Sequence, residues 1–179
     1  MKLRIDMKYR WLCLLLLLAF VGCDKYDDDN LDQYVEKGAK RIETEKAEGI
    51  LLSGTGFWYG NGYKSFVIVD GQMVPYMDST LMGYSFDKFE FDRDGSINVY
   101  SYSILQQKTC IKGGYIDWED KRIYVGSPES TVYYKIRGVT DNYLILERHH
   151  GDVIMVCERM SDAQVTKYLS NTEFVDKRE

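Results

Sequence analysis

The residues after the N-terminal leader predict a mainly β domain: an antiparallel up-and-down meander closing into a barrel of about 8–10 strands, with a helix at each end. Two observations carry this. From Ile50 to Met160, Tyr, Val, Ile, Thr and Phe alternate with polar residues, the texture of half-buried strands. Through the same stretch turn signals recur at short intervals, and no repeat or Pro/Gly-rich linker divides it. Strands are expected near 51–60, 64–70, 73–77, 82–92, 96–105, 109–118, 121–126, 130–138, 142–149 and 152–160. Asn61-Gly62, Asp70-Gly71, Asp94-Gly95, Asp141-Asn142 and Gly151-Asp152 are suited to hairpin corners, and Glu119-Asp120-Lys121 to a wider turn. Within 82–92 the phase changes: Tyr84 and Phe86 share one face, Phe89 and Phe91 the other, so a bulge is expected at Asp87-Lys88. Closure of such a meander removes the exposed edges that favour aggregation; an open two-sheet sandwich is the alternative.

Residues 31–49 read as an N-terminal helix. Leu31, Tyr34, Val35, Ala39 and Ile42 fall near helical spacing, and Gly49 suits the position after a C-cap. The β region spans 50–160. Ser161 with Gln164 three residues on forms a capping box that opens a short helix to about Leu169, after which the tail to residue 179 is expected to fray.

The leader has its own logic. Lys2, Arg4, Lys8 and Arg10 face a single acid, Asp6, and Trp11 to Val21 follow as an unbroken apolar run. Crossing a bilayer takes ~20 apolar residues, so this run is too short to stay as a span and has the layout of a cleavable signal peptide, residues 1–22. Phe20-Val21-Gly22-Cys23 resembles the bacterial lipobox, although Phe20 stands where leucine is usual. The resemblance implies diacylglyceryl transfer to the Cys23 thiol, cleavage before it, acylation of the new amino group and a membrane as partner through that anchor. Residues 23–30 then form an acidic tether, Asp24-Lys25-Tyr26-Asp27-Asp28-Asp29-Asn30, too polar to bury itself. Acids placed just after the lipidated cysteine resemble the surface-export signals of Bacteroidetes lipoproteins, which implies an outer-membrane lipoprotein exposed at the cell surface.

Losing residues 1–22 removes four of the 23 basic and one of the 28 acidic side chains, leaving a net charge of −8. That balance argues against nucleic acid as a partner, because such binding rests on phosphate neutralisation by Lys and Arg. Cys13 leaves with the leader and Cys23 is acylated. Cys110 and Cys157 remain, either as a disulfide or as two buried thiols.

In the β region, Gly56-Phe57-Trp58 on the first strand is similar to the G-x-W of the lipocalin superfamily, and Arg159 closes the last strand where that family sets an arginine against the tryptophan. The chain thus resembles the lipocalin-like domains of Bacteroidetes lipoproteins over residues 50–160. The resemblance implies a barrel whose end is closed by Trp58 and Arg159 through stacking and cation–π contact.

Catalytic chemistry finds little support. Asp92-Arg93-Asp94-Gly95-Ser96 invites comparison with a calcium loop, but its twelfth position is Ser101 instead of a bidentate Glu, so a hairpin turn is expected. His149 and His150 are adjacent, which on a strand sends them to opposite faces. No G-x-S-x-G, H-E-x-x-H or phosphate-binding glycine loop occurs, and no metal or other cofactor is implied. Tyrosine is the unusual feature: of fifteen only Tyr9 lies in the leader. Tyrosine is a good strand former that covers a core while its hydroxyl reaches water, and rings with polar tips also suit a lumen that takes an amphipathic or glycan-like ligand. Tyr100, Tyr102 and Tyr134 share strand parity with Ile104, Val132 and Ile136, and are expected on the inward, ligand-binding face. The expected function is non-catalytic ligand binding, with an interaction module contacting an envelope or host protein through its loops as the alternative.

If Cys23 is the lipidation site, Cys23→Ala should accumulate as full-length precursor; a processed product with unchanged membrane partitioning on fractionation would contradict it.

Overall fold

The computed structural model describes residues 44–78, 86–126 and 132–178. The expected signal segment, Cys23, the expected acidic tether and residues 31–43 of the expected N-terminal helix lie outside them. The chain enters through helix α1 (Thr44–Leu52) and continues through β1 (Phe57–Gly60), β2 (Phe66–Val69), β3 (Gln72–Pro75), a 3-10 turn over Tyr76–Asp78, β4 (Lys88–Phe91), β5 (Ile97–Ser103), β6 (Lys108–Asp117), β7 (Arg122–Val125), β8 (Tyr133–Val139), β9 (Tyr143–Arg148) and β10 (Val153–Arg159). Helix α2 (Asp162–Asn171) and β11 (Phe174–Asp176) complete it.

Strands β1, β4, β5, β6, β7, β8, β9 and β10 pair in that order, and β1 pairs back onto β10, which closes an eight-stranded antiparallel barrel. Closure sets Trp58 opposite Arg159 and Gly60 opposite Cys157. The β2–β3 hairpin continues the wall, with Phe66 opposite Ile154 and Val67 opposite Val153. Strands β1 and β2 are therefore two halves of one wall strand that both lie along β10. Asn61-Gly62 is not the hairpin corner expected of it; it opens an excursion inside that strand. The gap in the ladder is filled locally: the amide of Asn61 donates to the Val156 carbonyl (2.9 Å), and the amide of Val156 donates to the hydroxyl of Ser65 (3.0 Å), which donates onward to the Asn61 carbonyl (2.7 Å). Ser65 is buried, so its hydroxyl does for this stretch what a backbone partner does elsewhere.

Alternate residues fill the interior. Trp58, Val67, Phe89, Phe91, Ile97, Val99, Ile123, Ile136, Leu144, Leu146, Met155 and Cys157 belong to one buried cluster, with Leu51 of α1 joining it at one end. We call that the lower end; the turns after β4, β6 and β8 lie there too. At the upper end lie the corners after β2, β5 and β9.

Part of the outer face is covered as well. Phe57, Tyr100 and Met160 form a buried cluster outside the wall, packed under Val165 and Tyr168 of α2 and Phe174 of β11. Helix α2 starts on the expected capping box, with the Ser161 amide donating to Gln164 Oε1 at 2.8 Å. The tail after it does not fray. It forms β11, parallel to β6, with Phe174 opposite Thr109 and Val175 opposite Cys110. Two further expectations shift. Gly49 sits inside α1, which runs on to Leu52, because Ile50 and Leu51 still have the barrel end to pack against. The phase change expected at Asp87-Lys88 falls where β4 begins, and the register shift within a ladder lies between Ile136 and Gly138 instead.

One backbone position has little latitude. Gly56 has φ +65°, and a Cβ there would lie 2.5 Å from the Phe91 carbonyl oxygen. Gly56→Ala should lose roughly 1–3 kcal/mol from the left-handed conformation alone, with the collision adding to it. Urea denaturation followed by tryptophan fluorescence measures this; an unchanged midpoint would show that the β1 entry relaxes freely.

Candidate ligand site in the barrel and on its wall

The lower end is covered by α1, with a cleft of about 380 Å³ left between Leu51, Leu52, Phe91, Ile116 and Trp118. The Arg159 guanidinium lies over the Trp58 ring at 4.6 Å from its centroid and donates to the Ile50 carbonyl at 2.7 Å. Trp58 Nε1 donates to the Leu51 carbonyl at 3.2 Å. Both carbonyls end α1, where a helix lacks intrahelical partners and carries the negative end of its dipole; the Ser53 amide and hydroxyl also donate to the Ile50 carbonyl, and the guanidinium and indole N–H add to them. The two residues expected to meet at the barrel's end do so, and their purpose is to fasten a lid helix.

Higher in the barrel the interior changes character. Residues directly opposite across a ladder share a face. Lys112 is opposite Val99, a lumen residue, and Ser101 is opposite Cys110 on the same face two residues on. Asp87 immediately precedes β4; its carboxylate accepts from the Tyr134 hydroxyl and bonds the Ser101 side chain, and the Lys112 charge acts on it. Tyr134 is opposite Arg148, which pairs with Asp152 at the upper corner. Asp87, Ser101, Lys112, Tyr134 and Arg148 thus form a polar cluster in the upper half, above an apolar plug. Tyr134 is almost fully buried, while the other four keep part of their surface exposed.

Burial raises the Asp87 carboxyl above the ordinary aspartate range; the Tyr134 and Ser101 hydrogen bonds and Lys112 oppose this without cancelling it. Tyr134 is pushed well above the usual phenol value by burial and then by the Asp87 charge, and the fully buried Cys157 thiol is raised for the same two reasons. Neither can act as an anion near neutral pH.

The three tyrosines expected to face inward divide. Tyr134 faces the lumen, packed edge-on against Phe89 at 5.1 Å. Tyr100 and Tyr102 face outward. Tyr100 is opposite Lys88 and lies beneath α2, with its hydroxyl donating to Glu90 Oε2 at 2.6 Å, and Tyr102 is half exposed. The structure still brings these two together, with Lys88 and Tyr168, in a cleft of about 510 Å³ between the wall and α2. Cys110 and Cys157 are free and buried. They stand on β6 and β10, which β1, β4 and β5 separate along the wall.

His149 and His150 also differ from expectation. They occupy the β9–β10 corner, where ring centroids lie 3.7 Å apart, because a turn does not impose the alternation of a strand. Among the described residues no group of three or more His, Cys, Asp or Glu side chains is arranged to hold a metal, and no helix is long and apolar enough to cross a membrane. Asp92-Arg93-Asp94-Gly95 is the β4–β5 hairpin turn, with the Ser96 amide donating to Asp94 Oδ1 at 2.8 Å.

The architecture is consistent with a lipocalin-like fold. Comparison of the chain with protein-family models, curated proteins and solved structures finds no match.

Because the folded pKa of Asp87 is raised, folding favours its protonated form. That contribution is fully present below the unfolded aspartate value near 3.8 and is lost as pH rises through the higher folded value. Asp87→Asn, which cannot ionise, should therefore be more stable than the parent at neutral pH and lack this fall. Denaturation midpoints from pH 3 to pH 8 test this; parallel profiles would mean that Asp87 ionises in the fold without cost.

Proposed function

We propose that the mature chain is a lipid-anchored, surface-exposed lipoprotein of the bacterial outer membrane. Its lipocalin-like barrel takes up a small amphipathic ligand without chemically altering it. The observation that carries this reading is the division of the interior: an apolar lower half covered by α1 beneath an upper half in which Ser101, Lys112 and Arg148 keep part of their surface exposed. A barrel that only needed to close would be filled with apolar side chains throughout, since each buried polar group costs free energy unless satisfied. The upper corners add a second element. Val69, Ile104 and Leu105 expose apolar surface there, Leu105 to 98%, so a ligand's polar group can meet Lys112 and Ser101 while its chain follows this fringe. The lipobox-like Cys23 and the acidic residues after it support the address.

The same exposed hairpin tip supports a second reading, in which Ile104 and Leu105 contact an envelope or host protein and the barrel is a scaffold.

Laurate, dodecyl sulfate and dodecyl maltoside share one chain length and differ in head group. Titrated into the mature chain held in lipid nanodiscs, at least one should bind saturably, and Lys112→Met should weaken an anionic probe about tenfold, or ~1.4 kcal/mol. Native mass spectrometry of freshly purified protein should then show a bound small molecule. Indifference of all three probes, or binding unaffected by Lys112→Met but abolished by Leu105→Asp, would move the site out of the barrel and favour the interaction reading.

A further inference from the structure

The outer wall carries a cavity of its own, outside the lumen. The cleft of about 510 Å³ between β5–β6 and α2 adjoins another of about 400 Å³, and the two share Lys88, Tyr168, Asn171 and Thr172 in their walls. Either volume alone is in the ~300–1,000 Å³ range of small-molecule sites. Tyr100 and Thr109, both buried, form part of the first lobe's lining, and the half-exposed Tyr102 stands at its edge. Tyr168 is fixed by ring contacts with Tyr100 (6.0 Å, edge-on) and Phe174 (5.7 Å, edge-on), so the aromatic part of the wall is set before anything binds.

Lys88 is the group that this packing leaves unexplained. Its ammonium lies 4.6 Å from the Tyr168 ring centroid, and among the described residues it has no hydrogen-bond acceptor and no ion-pair partner. The neighbouring Asp87 points through the wall into the barrel, towards Tyr134. The other lysine of the first lobe, Lys108, is already paired with Glu173 at 3.0 Å. Burial lowers the Lys88 pKa, as expected for a cation held against rings without a counter-ion. On a mature chain of net charge −8, general attraction of anions is not the cause of selectivity here; charges beyond ~8–10 Å are screened at physiological salt, and the local cation decides.

We propose that this cleft binds a sugar bearing a carboxylate, such as a uronic acid unit of a glycan, with the carboxylate on Lys88. Tyrosine rings offer flat apolar faces to the C–H face of a pyranose while their hydroxyls remain available for hydrogen bonding. Asn171, Thr172 and Gln107 supply the amide and hydroxyl groups that sugar hydroxyls need. An apolar carboxylate would leave these polar groups unpaired, whereas a neutral sugar would leave Lys88 so.

The test uses the mature lipidated chain in nanodiscs, with aromatic ¹³C resonances of tyrosine followed during titration with sodium glucuronate, glucose, benzoate and digalacturonate. Glucuronate and digalacturonate should shift the Tyr102 and Tyr168 signals saturably, with glucose and benzoate at least about tenfold weaker, the loss associated with one charge-assisted hydrogen bond. Lys88→Gln should bring glucuronate and glucose within about twofold of each other, and Tyr102→Ala, at a half-exposed position that the fold tolerates, should weaken both. Tyr134→Phe, inside the barrel, reaches Lys88 only through the Asp87 charge and should move glucuronate binding far less than Lys88→Gln does, which separates this site from the lumen. No shift with any of the four probes, a glucuronate preference that survives Lys88→Gln, or benzoate binding as well as glucuronate would each overturn the proposal.

Discussion

The pairing of β1 with β10 is the constraint on which the rest depends. A meander of eight strands has two edges, and only their union removes both. The register that joins them puts Trp58 opposite Arg159. That pair does more than mark the seam. Arg159 reaches the Ile50 carbonyl and Trp58 the Leu51 carbonyl, so the same two residues close the wall and bind the end of α1 across its opening. Gly56 supplies the backbone geometry that lets β1 enter beside Phe91, since any side chain there meets the Phe91 carbonyl. Closure, lid and entry turn are therefore one arrangement, and a change to any of them is felt by the others.

The seam also explains why the wall is irregular beside it. The strand that pairs with β10 is broken between Gly60 and Phe66, and the excursion is held by a second layer of polar contacts on the outside. Glu158 accepts from Tyr59 at 3.0 Å, Asn61 at 2.5 Å and Lys64 at 2.5 Å, while Lys64 also reaches the Tyr143 hydroxyl at 3.1 Å. A carboxylate with three donors is depressed below the usual glutamate range despite its partial burial, so it stays ionised and keeps all three. An interruption that would otherwise strand backbone groups is thus secured by one acid on β10.

Much of this was legible in the chain. Alternation and Asx-Gly corners located the strands because half-buried strands must alternate and tight corners need residues that tolerate positive φ; Asp70 and Gly71 both have it, at 51° and 78°. The Trp58–Arg159 contact was legible only by resemblance, since nothing local joins two residues a hundred positions apart. The inward face of β5 differs from the expectation for a physical reason. Helix α2 and β11 cover that strand from outside, so Tyr100 is as buried as a lumen residue, and both parities of Ile97-Asn98-Val99-Tyr100-Ser101-Tyr102 present apolar side chains. The parity with Ile97 and Val99 was the correct one, and it places Ser101 inward. In the chain Asp87 reads as a bulge position and not as a lumen group, and Lys112 carries no signal, because a lone charge on a strand reads as solvated surface; only the ladder shows that Lys112 shares a face with Val99. Asn61-Gly62 misled because the dipeptide specifies a sharp bend and is silent about which strand follows it.

Asp87 and Lys88 show what this wall can do that a simpler one cannot. They are consecutive, and the start of β4 sends Asp87 into the barrel and Lys88 to the outer cleft. Their charges oppose the effect of burial on each other: Asp87 raises the Lys88 pKa, and Lys88 lowers that of Asp87, although burial prevails in both. Protonation of Asp87, or its engagement by a cation in the lumen, removes a negative charge that acts on Lys88 and leaves that ammonium with a stronger claim on an outside anion. An anion on Lys88 in turn makes the Asp87 charge harder to sustain. The coupling is reciprocal by necessity and needs no movement of the backbone, because it passes through a single peptide unit of the wall. The interior and exterior of the barrel are thus electrically linked at one point, and that point lies where polar lumen and aromatic cleft are closest in sequence.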